Sequence, residues 1–381
     1  MRIPWKSVRW TTSLFLIGTL TISCTVVPAY LWQNGLSWFQ AMLFVTFFLA
    51  TGLSITLGYH RLFSHNAFRA RWPVRLFILL FGAAAFEHSV LEWSADHRRH
   101  HKFVDHEHDP YDITKGFLHA HIGWLLFRTK PPTFLDNVGD LQRDALVAWQ
   151  HRHYMTIAFL MSFGLPAMLG LAWGGWHEAL GCFLVAGVAR VVFVQHMTFC
   201  INSLCHTLGR QPYSSRNTAR DSAFMALLTF GEGYHNYHHE FQYDYRNGVK
   251  PWQFDPTKWS IWLLHKVGLV TQMRRVPAEK ILLAEITETQ RRLADQLIGR
   301  HADLPPVTRT LLVEAHERLQ QAAKTWNQRK TEYVQAAEQK LADSRERIAA
   351  LQAELELAAE RLRHAIEQWR EAHQLAQSQL A

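Results

Sequence analysis

Four apolar runs, at about residues 11–31, 36–57, 154–172 and 179–200, constrain this chain more than any other feature. Each is about 20 residues long, the length of helix that crosses the hydrocarbon core of a bilayer. Backbone polar groups in lipid must be satisfied within their own segment, so each run is expected to be a helix. The first run has no small-residue cleavage signature and reads as a retained span rather than a signal peptide. The slightly negative mean hydropathy of the whole chain hides these runs, because residues 278–381 are rich in Ala, Glu, Gln, Arg and Leu. The short connections between runs one and two and between runs three and four contain no Lys or Arg. Arg2, Lys6 and Arg9 precede the first run, and Arg61, Arg69, Arg71, Arg98, Arg99, Lys102, Arg128 and Lys130 lie between the second and third. The positive-inside rule then places both termini and the long central segment in the cytoplasm. The apolar stretch Val74–Phe86 is too short to span and is expected to lie at the interface or to pack as a core helix of a cytosolic cap.

Histidines gather on that cytoplasmic side. His60 and His65 stand in H-R-L-F-S-H, His97, His100 and His101 in H-R-R-H-H, and His235, His238 and His239 in H-N-Y-H-H. Asn202 and His206 stand in N-S-L-C-H, and Trp93 lies just before the second group. Neutral imidazole is the commonest metal ligand. Residues i, i+3 and i+4 share a helix face, so two H-x-x-H-H groups can offer six imidazoles to a common centre. His60 and His65 do not align on an ideal helix, and a bend is expected there so that His65 reaches back. Nitrogen ligation without thiolate suits iron, zinc or copper. Eight or nine imidazoles overfill one tetrahedral zinc, which also lacks redox chemistry. Two irons sharing them keep open positions for dioxygen. The paired Glu-x-x-His motifs of soluble di-iron bundles are missing. His106, His108, His119, His121, His151, His153 and His196 read as ordinary polar residues.

Other features narrow the class. Cys24, Cys182, Cys200 and Cys205 show no C-x-x-C spacing, which excludes a disulfide framework and a built-in rubredoxin-type or zinc-ribbon site. The chain carries a net charge of +8, whereas residues 278–381 hold 15 basic and 16 acidic side chains, so the positive excess resides in the first 277 residues. Such a domain suits a negative cytoplasmic leaflet or an anionic ligand. Two domains are expected, a membrane domain over 1–277 and a helical tail over 278–381. Pro305-Pro306 divides the tail. Beyond it Val334, Ala337, Leu341, Ser344, Ile348, Leu351, Leu355, Ala358, Leu362, Ala365, Trp369 and Ala372 form a heptad seam, which predicts a coiled coil, self-associating or folded back as a hairpin.

The groups H-R-L-F-S-H, E-W-S-A-D-H-R-R-H-H-K-F, D-P-Y with G-F-L-H-A-H-I-G-W, N-S-L-C-H and G-E-G-Y-H-N-Y-H-H resemble the membrane fatty-acid desaturases, most nearly the stearoyl-CoA (delta-9) type, over about residues 40–260. The resemblance implies an all-α integral membrane protein with a four-helix stalk, a cytosolic helical cap and a di-iron centre. It implies that His60, His65, His97, His100, His101, His206, His235, His238 and His239 bind two irons, with Asn202 holding a metal-bound water. Trp93 and Thr198 match the residues beside which the acyl chain bends. Gly52 matches the small residue that leaves the channel end open. The implied reaction uses dioxygen and two electrons to remove two hydrogens from neighbouring methylenes, giving a cis double bond and water. A histidine-box hydroxylase acting on an alkane or lipid, or a desaturase of phospholipid-linked chains, are the alternatives. The implied partners are a fatty acyl-CoA or other acyl lipid, the membrane, and a separate electron donor of ferredoxin, rubredoxin or cytochrome b5 type, with no nucleic acid. The chain departs from animal members at Glu87-His88, where they have Gln-Asn, and at Ala95, where they have an Arg that helps hold coenzyme A.

Overall fold

The computed structural model describes residues 5–128, 134–297, 304–338 and 345–380. Arg2, Lys130, Leu341 and Ser344 lie outside the described residues. The chain divides into two compact units, residues 1–211 with 215–275, and residues 212–214 with 276–381.

Within the first unit, three helices among the described residues are long and apolar enough to cross a membrane: α1 (Trp10–Asn34), α2 (Trp38–Ser64) and a 53-residue stretch, Tyr154–His206. Between them come α3 (Trp72–Ala83) and α4 (Val90–Phe103), so the 53-residue stretch is α5. It is about twice the length that one bilayer needs. Its backbone leaves helical geometry at Gly174 and Gly175, the latter at φ +73°, a left-handed value that glycine adopts without a Cβ penalty. The halves on either side return along each other: Gly170 lies against Glu178 and Cys182, and Gly187 against Ser162 and Phe163. The third and fourth apolar runs are thus one helical stretch folded at a glycine pair.

The second helix differs from expectation in a way that serves the site. Its last eleven residues, Ser54–Ser64, are wound as a wide π-helix. The backbone N–H of His65 reaches the carbonyl of His60, five residues back, at 3.2 Å. An i→i+5 pattern of this kind is often found at functional sites. The helix therefore does not bend after Leu57 but widens. His60 and His65 come onto one side with ring centroids 4.9 Å apart.

Helix α3 packs Val74, Ile78, Leu79 and Ala83 inward and leaves Trp72 and Phe77 exposed. That apolar outer face with a leading tryptophan fits a helix lying at a membrane interface. Helix α4 starts on a capping box, with Ser89 receiving the Glu92 N–H while the Glu92 side chain returns to the Ser89 backbone. Among the short helices that follow α5 are α6 (His235–Glu240) and α7 (Pro256–Lys266). A two-residue antiparallel pairing of β1 (Arg69–Ala70) with β2 (Val270–Thr271) ties the chain beyond α2 to the chain beyond α7.

The second unit contains α8 (Ala278–Leu297), α9 (Pro306–Glu338) and α10 (Arg345–Leu380). Thr308 pairs with Gln379 and Arg329 with Glu354, so α9 and α10 run antiparallel as a hairpin. Ala358, Leu362, Ala365 and Trp369 of the expected seam are buried against Ala315, Leu319 and Trp326 of α9 and Ile286 of α8. Val334, at the start of that seam, is 40% exposed. Val334 lies on α9, whereas the buried seam residues Ala358, Leu362, Ala365 and Trp369 lie on α10.

Candidate metal centre

Nine histidines converge as two groups, His60, His65, His97, His101 and His238 in one, and His100, His206, His235 and His239 in the other, each with its ligand atoms within 4.8 Å of one another. The two H-x-x-H-H groups are split between them. Helix α4 gives its i, i+4 pair, His97 and His101, to the five-histidine group and His100 to the other. Helix α6 does the reverse, giving His235 and His239 to the four-histidine group and His238 to the five. The sequence expectation of six imidazoles around a common centre is therefore corrected. On a helix, the residue at i+3 sits about 80° round from the mean direction of the i, i+4 pair, enough to address a neighbouring centre.

The contacts are between Nε2 atoms. In the five-histidine group His60–His238, His65–His97 and His101–His238 approach to 2.9, 2.8 and 2.9 Å. In the other, His100–His239, His206–His235 and His235–His239 approach to 3.3, 3.2 and 3.1 Å. An ion about 2.1 Å from each nitrogen puts neighbouring ligand atoms about 3.0 Å apart and opposite ones about 4.2 Å apart. The observed spacings fit a metal in each group. Burial, reinforced by the neighbouring imidazoles, holds His65, His97, His101, His235, His238 and His239 well below the usual histidine pKa, so they present neutral rings, the form that ligates.

The remote nitrogens are held by residues that the sequence does not single out. His60 Nδ1 meets Glu232 Oε2 at 2.7 Å. Glu232 is in turn gripped by Arg61 at 2.8 Å and Asn247 at 2.7 Å, and Arg61 also reaches Asp255 at 3.1 Å. All of these side chains are buried. Arg61 is thus committed to an internal ion network and is not free for a ligand's phosphate. Arg190 is likewise buried, donating to the carbonyls of Ala84 and Ala186. The glycines of G-E-G explain their own positions: Gly231 has φ +98° and a Cβ there would sit 2.5 Å from Asp255 Oδ1, while a Cβ on Gly233 would sit 2.0 Å from the Ala226 nitrogen. In the other group His100 Nδ1 meets Asp109 at 2.9 Å. His206 Nδ1 meets the Thr218 hydroxyl at 2.7 Å. The one visible signal for Glu232 is its place three residues before His235. Asp109 opens the D-P-Y group but no spacing links it to His100, and Thr218 stands in none of the motifs.

A cavity of about 270 Å³ opens on both groups, touching His60 and His97 of one and His100 and His235 of the other. Its wall includes Phe15, Leu16, Ile55, Trp93, Thr198 and Asn202. Trp93 stacks on His97 with ring centroids 4.8 Å apart. Gly52 does not line this cavity. It faces a smaller one of about 20 Å³, where the Phe230 ring lies against it: a Cβ at Gly52 would meet Phe230 Cε2 at 2.3 Å. Glu87 also lines the large cavity, only 8% exposed and with neither carboxyl oxygen hydrogen-bonded. Burial pushes its carboxyl up to about 8, against a smaller opposite pull from Thr198 and Trp93. Phe86 and His88 at this wall and Phe230 at the smaller cavity all have positive φ, of 56°, 73° and 56°. Such strain gathers where a fold fixes a binding site. Among the other histidines, His121 pairs with His196 at 3.1 Å and His151 with Ser89 at 2.7 Å.

Two buried histidine centres beside an apolar cavity, in a chain with membrane-length helices, define an integral membrane metalloprotein. The family model for fatty acid desaturase matches residues 5–263, and the chain belongs to that family. It is 40% identical over 290 residues to a probable acyl-CoA desaturase of Schizosaccharomyces pombe, covering 75% of this chain and 59% of that protein. It is 38% identical to acyl-CoA desaturase 1 of Saccharomyces cerevisiae, covering 76% and 58%. It is 35% identical to the human stearoyl-CoA desaturase, covering 75% and 78%. The match thus spans under two thirds of the length of either yeast relative.

Proposed function

We propose that this protein is an oxygen-dependent acyl desaturase that places a cis double bond, at the delta-9 position, in a saturated acyl-CoA. The observation that carries the reading is the apolar cavity bordered by histidines of both groups, in a chain whose relatives are acyl-CoA and stearoyl-CoA desaturases. In this reading the nine histidines hold two iron ions and Asn202 steadies a water on the four-histidine side. Bound iron would supply dioxygen activation. The overall change removes one hydrogen from each of two neighbouring methylenes; with dioxygen, two electrons and two protons it yields one alkene and two waters.

The chain's own part is positional. Trp93 and Thr198 fix where the acyl chain turns, and holding one C–C bond beside the metals converts a diffuse encounter into a local one. Phe86 and Phe159, with ring centroids 5.1 Å apart, keep water from the wall. Burial keeps the Glu87 carboxyl protonated at neutral pH, so Glu87 itself puts no charge on the wall beside the hydrocarbon. Phe230 closes the Gly52 end, which limits how far the chain extends. The two halves of α5 form the third and fourth of four spans, with both termini and the metal centre on the cytoplasmic side. Residues 1–277 form the catalytic domain and residues 278–381 a separate helical domain, a site of self-association or donor docking. Electrons come from a separate protein of ferredoxin, rubredoxin or cytochrome b5 type.

Incubating membranes that contain the protein and a reducing partner with isotopically labelled stearoyl-CoA, and with the same chain on a phospholipid, tests the proposal. An alkene from the CoA ester, read by mass spectrometry, is expected. A hydroxylated product without alkene would make it a hydroxylase, and conversion of the phospholipid alone would reassign the carrier.

A further inference from the structure

The turn that follows α4 touches the four-histidine group in two ways. Asp109, 1% exposed, takes the Nδ1–H of His100 directly. Its carboxylate also closes the turn, receiving the backbone N–H of Asp105 at 3.2 Å and of Tyr111 at 3.1 Å. Asp105 sits at φ +63°, a left-handed conformation for which Asp is among the more tolerant residues. From there its two carboxylate oxygens receive the backbone N–H and the hydroxyl of Thr218, each at 2.6 Å, across 113 residues of chain.

The hydrogen-bond inventory fixes the direction of the second arm. A threonine hydroxyl has one proton, and a carboxylate oxygen only accepts. The Thr218 hydroxyl therefore donates to Asp105 and accepts from His206 Nδ1–H, at 2.7 Å. That tautomer leaves the His206 Nε2 lone pair facing the group, 3.2 Å from His235 Nε2. The direct arm does the same for His100, whose Nε2 faces His239. We infer that the Asp105–Asp109 turn is the positioning device of the four-histidine site, and that Thr218, relaying Asp105 to His206, is a positioning residue for the metal of that site alone. The five-histidine group has its own support in Glu232 and does not touch Thr218.

The inference rests on the reading that each histidine group holds an iron. Purified full-length protein in detergent, loaded anaerobically with ferrous iron, is titrated with a chelator while iron per chain is counted by elemental analysis. Wild type is expected to hold two irons. Loss of a partner that orients a metal-bound histidine typically weakens affinity about 10–100-fold. Thr218→Val, which keeps the shape but not the acceptor, is expected to release one iron at a chelator concentration about 10-fold lower and to keep the other. Thr218→Ser restores the hydroxyl and is expected to return the wild-type curve. Thr218→Ala carries the same expectation as valine without the risk of overpacking, and thermal melting confirms that each variant is folded. Wild-type curves for both Thr218→Val and Thr218→Ala, or equal loss of both irons, would overturn the inference. A wild type that never holds two irons would instead overturn the reading on which it rests.

Discussion

The two histidine groups share α4 and α6 yet are supported by different kinds of structure. The five-histidine group leans on a charged knot inside the fold, in which Arg61, Glu232, Asn247 and Asp255 are all buried and joined to His60. The four-histidine group leans on a turn, through Asp109 to His100 and through Asp105 and Thr218 to His206. One ligand set is tied to a buried ion network, the other to a short turn and one hydrogen-bonded relay across the fold. Metal retention and fold stability are therefore expected to be coupled in the first group and separable in the second.

The largest effect should come from removing ligands. His239→Ala leaves three imidazoles in its group, whereas His101→Ala leaves four in the other. Both are expected to lower turnover by at least ~100-fold, since each metal is needed for the reaction. His239→Ala should release its iron at the lower chelator concentration, and equal retention in the two variants would erase the distinction between the groups.

Carboxylate substitutions test the coupling itself. Glu232→Gln leaves Arg61 with one anionic partner fewer in a buried site, a change that costs about 3–5 kcal/mol. Its expected signature is a fall in denaturation midpoint together with loss of iron. Asp109→Asn should weaken iron binding about 10–100-fold with a smaller change in denaturation midpoint. Matching profiles for the two variants would show that the supports are alike.

The pH response is expected to be smaller and to arise at neither group. Glu87 holds its proton up to a pH of about 8 and loses it above. Its raised value means that the folded state binds a proton the unfolded chain has released, so stability falls as pH rises from the ordinary carboxyl range through 8. The same ionisation puts a charge on the apolar wall that meets the acyl chain. KM for the acyl substrate should rise above pH 8 in wild type and stay flat in Glu87→Gln. A wild-type rise that persists in the variant would assign it elsewhere. The smallest effect on chemistry is expected in the second unit. Leu362→Ala removes a fully buried side chain at a cost of about 2–5 kcal/mol to that unit, with iron content unchanged. Circular dichroism melting and iron analysis on the same sample check both halves of that statement.

Much of the site is legible in the order of residues. Apolar run length marks membrane-length helices, because hydrocarbon thickness sets a minimum span. The two H-x-x-H-H spacings mark six of the nine ring nitrogens, because i, i+3 and i+4 positions lie toward one helix side whatever the rest of the fold does. The i, i+5 pair His60 and His65 suggests a bend but is carried on a π-wound end, a choice that local sequence does not dictate. The heptad seam of the tail is legible as a periodicity, but the choice between self-association and a folded-back hairpin is not.

The sequence by itself determined how many imidazoles there are and which helices carry them. Only the tertiary structure decided the division into five and four, because that depends on how α4 and α6 meet and on which single histidine of each faces the other's pair. It also decided which carboxylates hold the rings. Glu232 stands 171 residues from Arg61 and Thr218 113 residues from Asp105, separations over which no local pattern links one residue to the other. Hydrogen bonds need atoms within about 3 Å, and only the folded chain brings such distant residues that close.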